Sequence, residues 1–71
     1  MRKYSRIPKD LGRRVQEARQ KKNISQVELA EEIGVTPTYV GFIEQGARNP
    51  SIATLDKIAR ALGIKMSDLF D

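Results

Sequence analysis

The stretch EIGVTPTYV, residues 32–40, sets a glycine and a proline three residues apart between two short apolar-periodic runs. Gly34 suits a helix stop, because many helices end in a left-handed residue and glycine adopts that conformation without a Cβ clash. Pro37 suits a helix start: its φ is preset, and its missing N–H is one that the first turn leaves unpaired anyway. So short a connection leaves little freedom in the angle between the two helices. The feature therefore predicts a helix pair held at a fixed crossing.

Helical periodicity extends along the rest of the chain, and no stretch alternates as a half-buried strand would. A first helix is expected from near Pro8, with Leu11, Val15 and Ala18 on one face and Asn23 as its stop. SQVE, residues 25–28, is a capping box with Ser25 at the N-cap and Glu28 reaching back. The helix it opens buries Leu29, Ala30 and Ile33, and Val35 tucks inward after the turn. Thr36 caps a third helix that runs to about Gln45, with Val40 and Ile43 inward and Gly46 as its stop. After an ARNP loop, Ser51 caps a fourth helix striped by Leu55, Ile58, Ala59 and Leu62. Gly63 closes it, and IKMSDLF supplies a short fifth helix or turn carrying Ile64, Met66, Leu69 and Phe70.

The fold class that follows is all-α, five short helices, with a helix-turn-helix formed by helices two and three. Ala30 stands where those two must approach, and a branched side chain there would force them apart. The first turn of helix three, Thr36 to Tyr39, then projects from the surface as an element able to enter a major groove.

Composition narrows the chemistry. The 71 residues contain no cysteine and no histidine, which excludes disulfides and thiolate metal sites and removes the commonest general base. The nine carboxylates fall on outer helix faces and the glycines punctuate helices, so neither an enzyme site nor a metal or cofactor cradle is expected. No apolar run approaches the roughly 18 residues of a membrane span. MRKYSRIPKD lacks the apolar core of a secretory signal, so a cytoplasmic chain is expected. The net charge of +4 is unevenly spread. Residues 1–22 set nine cationic side chains against Asp10 and Glu17, a net of +7, and the remainder nets −3. Such a field suits a polyanion: nucleic acid first, an anionic membrane second. The membrane reading is the poorer one, because the apolar face of helix one is small and lacks an aromatic anchor. Residues 1–8 read as a mobile basic arm, and 9–71 as a single DNA-binding domain.

SQVELAEEIGVTPTYVGFIEQGARNPS followed by LDKIARALGI resembles the Cro/C1-type (XRE-like) helix-turn-helix family of phage repressors and bacterial regulators. The likeness runs over about residues 11–70 and includes the glutamine after the cap, the turn glycine, the E-x-G at the end of helix three, NPS and IARAL. It implies a lambda-repressor-like domain and a transcription regulator that binds double-stranded DNA as a homodimer on a palindromic operator. It also implies roles for individual residues. Ser25 and Gln26 match positions that grip the DNA backbone, as a helix N-terminus would on physical grounds. Thr36, Pro37, Thr38 and Tyr39 match the start of a recognition helix, about 36–45. Gln45, Arg48 and Asn49 match the phosphate clamp that follows it. Arg19 and Glu44 match a structural ion pair between helices one and three. Relatives commonly dimerise near helices four and five, which points to Met66, Leu69 and Phe70.

Glu44 is the only charged residue of the recognition helix, and Phe42 stands where a polar or basic residue is common. Phe42 is open to two roles, a base-contacting one on a thymine methyl or packing within the protein. Sparse polar readout leaves part of the specificity to DNA shape. Size and the TYVGFIEQGARNPS stretch are similar to restriction–modification controller proteins as well as to small phage-type repressors. An antitoxin-like module whose main partner is another protein is the alternative. No small-molecule effector is expected.

Overall fold

The computed structural model describes residues 7–70, so the basic arm, apart from Ile7 and Pro8, lies outside the described residues. Five helices follow one another: α1 (Leu11–Lys21), α2 (Gln26–Ile33), α3 (Pro37–Glu44), α4 (Ile52–Leu62) and α5 (Met66–Phe70). Helix α1 begins three residues later than Pro8 suggests. Pro8 instead closes a turn in which its carbonyl accepts the Leu11 N–H at 3.1 Å, and Ile7 packs onto the core. Asp10 stands at the N-cap without capping. Its carboxylate binds Arg13 at 2.7 Å and Arg14 at 3.1 Å, and chiefly Arg14 holds the Asp10 carboxyl below its ordinary range.

Local chemistry accounts for the other helix ends. Asn23, Gly34, Gly46 and Gly63 all have positive φ, 61°, 76°, 78° and 68°. In each case the following amide reaches a carbonyl five residues back: Ile24 to Arg19, Val35 to Ala30, Ala47 to Phe42 and Ile64 to Ala59. That bond satisfies carbonyls which the helix end would otherwise leave bare. At the starts, Ser25, Thr36 and Ser51 accept from the amides of Glu28, Tyr39 and Thr54 at 3.0, 3.1 and 3.1 Å.

The apolar stripes converge on one core of Leu11, Val15, Leu29, Ala30, Ile33, Val40, Ile43, Leu55, Ile58, Ala59, Leu62 and Leu69. Helix α3 packs on α2 and α1, α4 covers α2, and α5 lies against α1 and α4. Pro50, in the loop before α4, is buried as well. Leu69 corrects one expectation: with 0 % of its surface exposed it belongs to this core and has nothing to offer a second chain. Met66 and Phe70, on the same short helix, are half-buried.

A close approach that periodicity does not announce lies between α1 and α3. Gly12 is buried, and a Cβ there would stand 2.5 Å from the Ile43 carbonyl oxygen and 2.8 Å from the Glu44 carbonyl carbon. Only a residue without a side chain lets the start of α1 lie against the end of α3.

Candidate nucleic-acid interface

Helix α3 divides into two faces. Val40 and Ile43 are buried, and Tyr39 packs partly against the core. Thr36, Pro37, Thr38 and Gln45 are exposed, and Phe42 keeps 41 % of its surface open. Thr38, Phe42 and Gln45 stand at i, i+4 and i+7, so they form one outward stripe. Phe42 therefore faces solvent, and packing in the core is no longer its role. The Thr36 hydroxyl oxygen already accepts the Tyr39 amide, so towards a ligand it offers chiefly its proton.

What holds this stripe in place is a buried polar cluster. Arg19 Nε donates to Glu44 Oε2 at 2.7 Å and its Nη2 to Oε1 at 3.1 Å, with Glu44's side chain only 2 % exposed. Arg19 Nη1 reaches the Ile24 carbonyl at 2.9 Å. Donating these bonds to the Glu44 carboxylate raises the Arg19 pKa above its ordinary value despite burial. Gln26 completes the cluster, its Nε2 donating to Glu44 Oε1 at 3.0 Å. One carboxylate at the end of α3 thus ties down the end of α1, the loop after it and the first residue of α2. Among the described residues, no buried side-chain polar atom lacks a partner.

The family resemblance implies the Arg19–Glu44 pair but not Gln26 as its third member. The visible signal was a glutamine directly after an N-cap, a position that looks outward until the α2–α3 angle is known. Its amide also lies over Gly41, where an added Cβ would meet Nε2 at 3.8 Å. Ser25 is similarly engaged: its amide donates to Glu28 Oε1 at 2.8 Å while its hydroxyl accepts from the Glu28 amide.

Charge is distributed differently from what the basic first third suggests. Arg13 bridges Asp10 and Glu17, Arg14 binds Asp10, and Lys22 Nζ donates to the Ala61 carbonyl at 2.7 Å. Arg13 and Arg14 thus share two carboxylates, while the carbonyl bound by Lys22 leaves that cation's charge in place. From Gly34 to Ser51 the charged residues are the buried Glu44 and the exposed Arg48. Arg48 and Asn49 follow the C-cap residue Gln45 and are all exposed together with it. Among the described residues no cluster of acidic, histidine or cysteine side chains could hold a metal, and no helix is long and apolar enough to cross a membrane.

Known proteins are similar to this chain in sequence and fold. The control protein C.BamHI of Bacillus amyloliquefaciens is 43 % identical over 61 residues, covering 84 % of this chain and 75 % of its own length. The crystal structure of the restriction–modification controller C.AhdI from Aeromonas hydrophila superposes with a TM-score of 0.83 at 40 % identity, covering 87 % of this chain and 94 % of that one. SinR, a master regulator of biofilm formation crystallised with DNA, superposes with a TM-score of 0.80 at 37 % identity, covering 86 % of this chain and 98 % of that one. A helix-turn-helix family profile matches residues 15–69. The chain belongs to this XRE-like helix-turn-helix family, whose members are DNA-binding transcription regulators and not enzymes.

Proposed function

We propose that this regulator recognises a palindromic operator as a homodimer, with α3 in the major groove and the surface from Gln45 to Asn49 on the sugar-phosphate backbone. The observation that carries the reading is the outward stripe of Thr38, Phe42 and Gln45 on a helix whose far end is anchored by Arg19 and Glu44. Thr38 offers a hydroxyl and a methyl to base edges, Pro37 and Phe42 offer apolar contacts for thymine methyls, and the half-buried Tyr39 flanks them. Arg48 supplies charge to the phosphates, with Gln45 and Asn49 donating beside it. Ser25 and Gln26 meet the backbone at the start of α2. The likeness to SinR, crystallised with DNA, supports DNA as the ligand of this fold.

The half-buried Met66 and Phe70 are the residues of α5 that a twofold mate would cover. Isologous pairing there places the two recognition helices about 34 Å apart, one turn of B-DNA. Likeness to two control proteins favours a restriction–modification controller that responds to its own concentration through dimerisation and operator occupancy.

Selection of bound fragments from a random duplex library tests the proposal, and the expected product is a pair of inverted half-sites at one-turn spacing. Affinity should fall by roughly tenfold or more between 50 and 200 mM salt as counterions are released. A library that yields no common sequence, with affinity indifferent to salt, would favour a protein partner instead.

A further inference from the structure

The bond from Gln26 to Glu44 decides which way the Gln26 carboxamide faces. A carboxylate paired with Arg19 can only accept, so the group turned towards it is the NH2 end, Nε2, at 3.0 Å. The carbonyl Oε1 is left over. Among the described residues it accepts no hydrogen bond, and since no buried side-chain polar atom there lacks a partner, Oε1 opens to the surface. It lies over Gly41, where an added Cβ would stand 3.9 Å from Oε1 and 3.8 Å from Nε2. Gly41 is at i+3 from Thr38 and i−4 from Gln45, so its surface belongs to the same outward stripe. Its φ is not positive, so the backbone does not require a glycine that helix propensity disfavours.

We propose that Gln26 Oε1, uncovered by the missing side chain of Gly41, reads an amino base, adenine or cytosine, at one position of each half-site. The inference rests on the DNA-binding reading with α3 in the major groove. There adenine N6 and cytosine N4 donate, whereas thymine O4 and guanine O6 accept and would meet Oε1 lone pair to lone pair. The Glu44 bond prevents the flip by which a free glutamine serves either kind of base. The second Nε2 proton stays available to the sugar-phosphate backbone, so one carboxamide makes the backbone contact and the base contact. Gln26 thus adds a fixed acceptor beside a stripe whose other polar groups, the Thr38 hydroxyl and the Gln45 carboxamide, can turn to suit either partner.

Operator selection from random duplex, with the full chain and three variants, tests this. Gly41→Ala keeps the Gln26–Glu44 bond, because its methyl sits at ordinary contact distance, but it covers Oε1. Gln26→Met removes the carboxamide at similar side-chain length, and the double variant combines the two. Thermal melting checks that each is folded. Wild type is expected to favour adenine or cytosine over thymine or guanine at one position of each half-site by about three- to tenfold, the yield of one hydrogen bond. Both single variants should lose that preference and keep the others, and the double variant should lose no more at that position than either alone. Unchanged preferences in Gly41→Ala, a purely uniform loss of affinity in Gln26→Met, or a further loss in the double variant overturn the proposal while leaving DNA binding intact. Wild-type protein that selects no common sequence overturns the DNA-binding reading, and this inference with it.

Discussion

Two of the five glycines lie inside helices, and their neighbours give them opposite meanings. Gly12 in α1 faces the carbonyls that end α3, whereas a methyl on Gly41 in α3 would meet only the Gln26 side chain at 3.8 and 3.9 Å. Gly12→Ala forces backbone apart and is expected to lose at least about 2–3 kcal/mol. Gly41→Ala adds a methyl at ordinary contact distance and is expected to gain about 1 kcal/mol from helix propensity. Thermal melting of the two variants reads both signs. Arg19 is the other residue whose surroundings decide its weight. Removing it strands a carboxylate 2 % exposed, at a cost of roughly 3–5 kcal/mol. Arg14→Ala breaks a more exposed pair with Asp10, worth about 0–1 kcal/mol. Urea titration should give a far larger midpoint shift for Arg19→Ala, and equal shifts would remove the buried pair from the account.

At the scale of the element, α3 is short and depends on its attachments. Thr36 and Pro37 define where it starts, and Glu44 bolts its end to α1 and α2. An eight-residue helix has little stability alone, so the angle of its outward stripe comes from packing and from that cluster. The contributions to DNA binding proposed for Thr38 in α3 and Arg48 beyond it are separable by experiment. Arg48→Ala should weaken binding to all sequences alike and reduce the salt slope by about 1, since one phosphate contact is lost. Thr38→Ala should leave the slope alone and relax preference at one position of each half-site, by about 1 kcal/mol. Gel-shift titrations over salt and over operator variants distinguish them. A uniform loss of affinity across all operator variants in Thr38→Ala would place that residue on the backbone instead.

For the molecule as a whole, charge acts at long range and apolar surface only on contact. Pairing leaves the net charge of +4 unchanged, so long-range attraction to a polyanion persists, while Arg13, Arg14 and Lys22 are held by partners within the domain. A chain this small buries a modest core, which the proposed second copy would extend. Phe70→Glu puts a charge on the half-buried edge of α5 and is expected to shift the protein from dimer to monomer in sedimentation. The half-buried Met66 lies on the same helix, and Met66→Glu should act alike if this edge is the interface. Retained helicity in circular dichroism separates that outcome from unfolding, and an unchanged sedimentation coefficient would move the interface elsewhere.

Where the helices start and stop was legible in the residues themselves. Ser25, Thr36, Ser51, Asn23, Gly34, Gly46 and Gly63 act through bonds that span no more than five residues, and such bonds depend on little beyond the neighbouring sequence. The apolar stripes likewise identified the core faces, because helical period alone sorts inside from outside. The start of α1 was misplaced since Pro8 serves equally well in a turn just before a helix. Other features needed the assembled fold. Whether Leu69 or Phe70 is covered, why Gly12 admits no side chain, and where the Gln26 amide points all depend on how helices distant in sequence cross. A crossing angle is the sum of every contact in the core, and no local run of residues contains it.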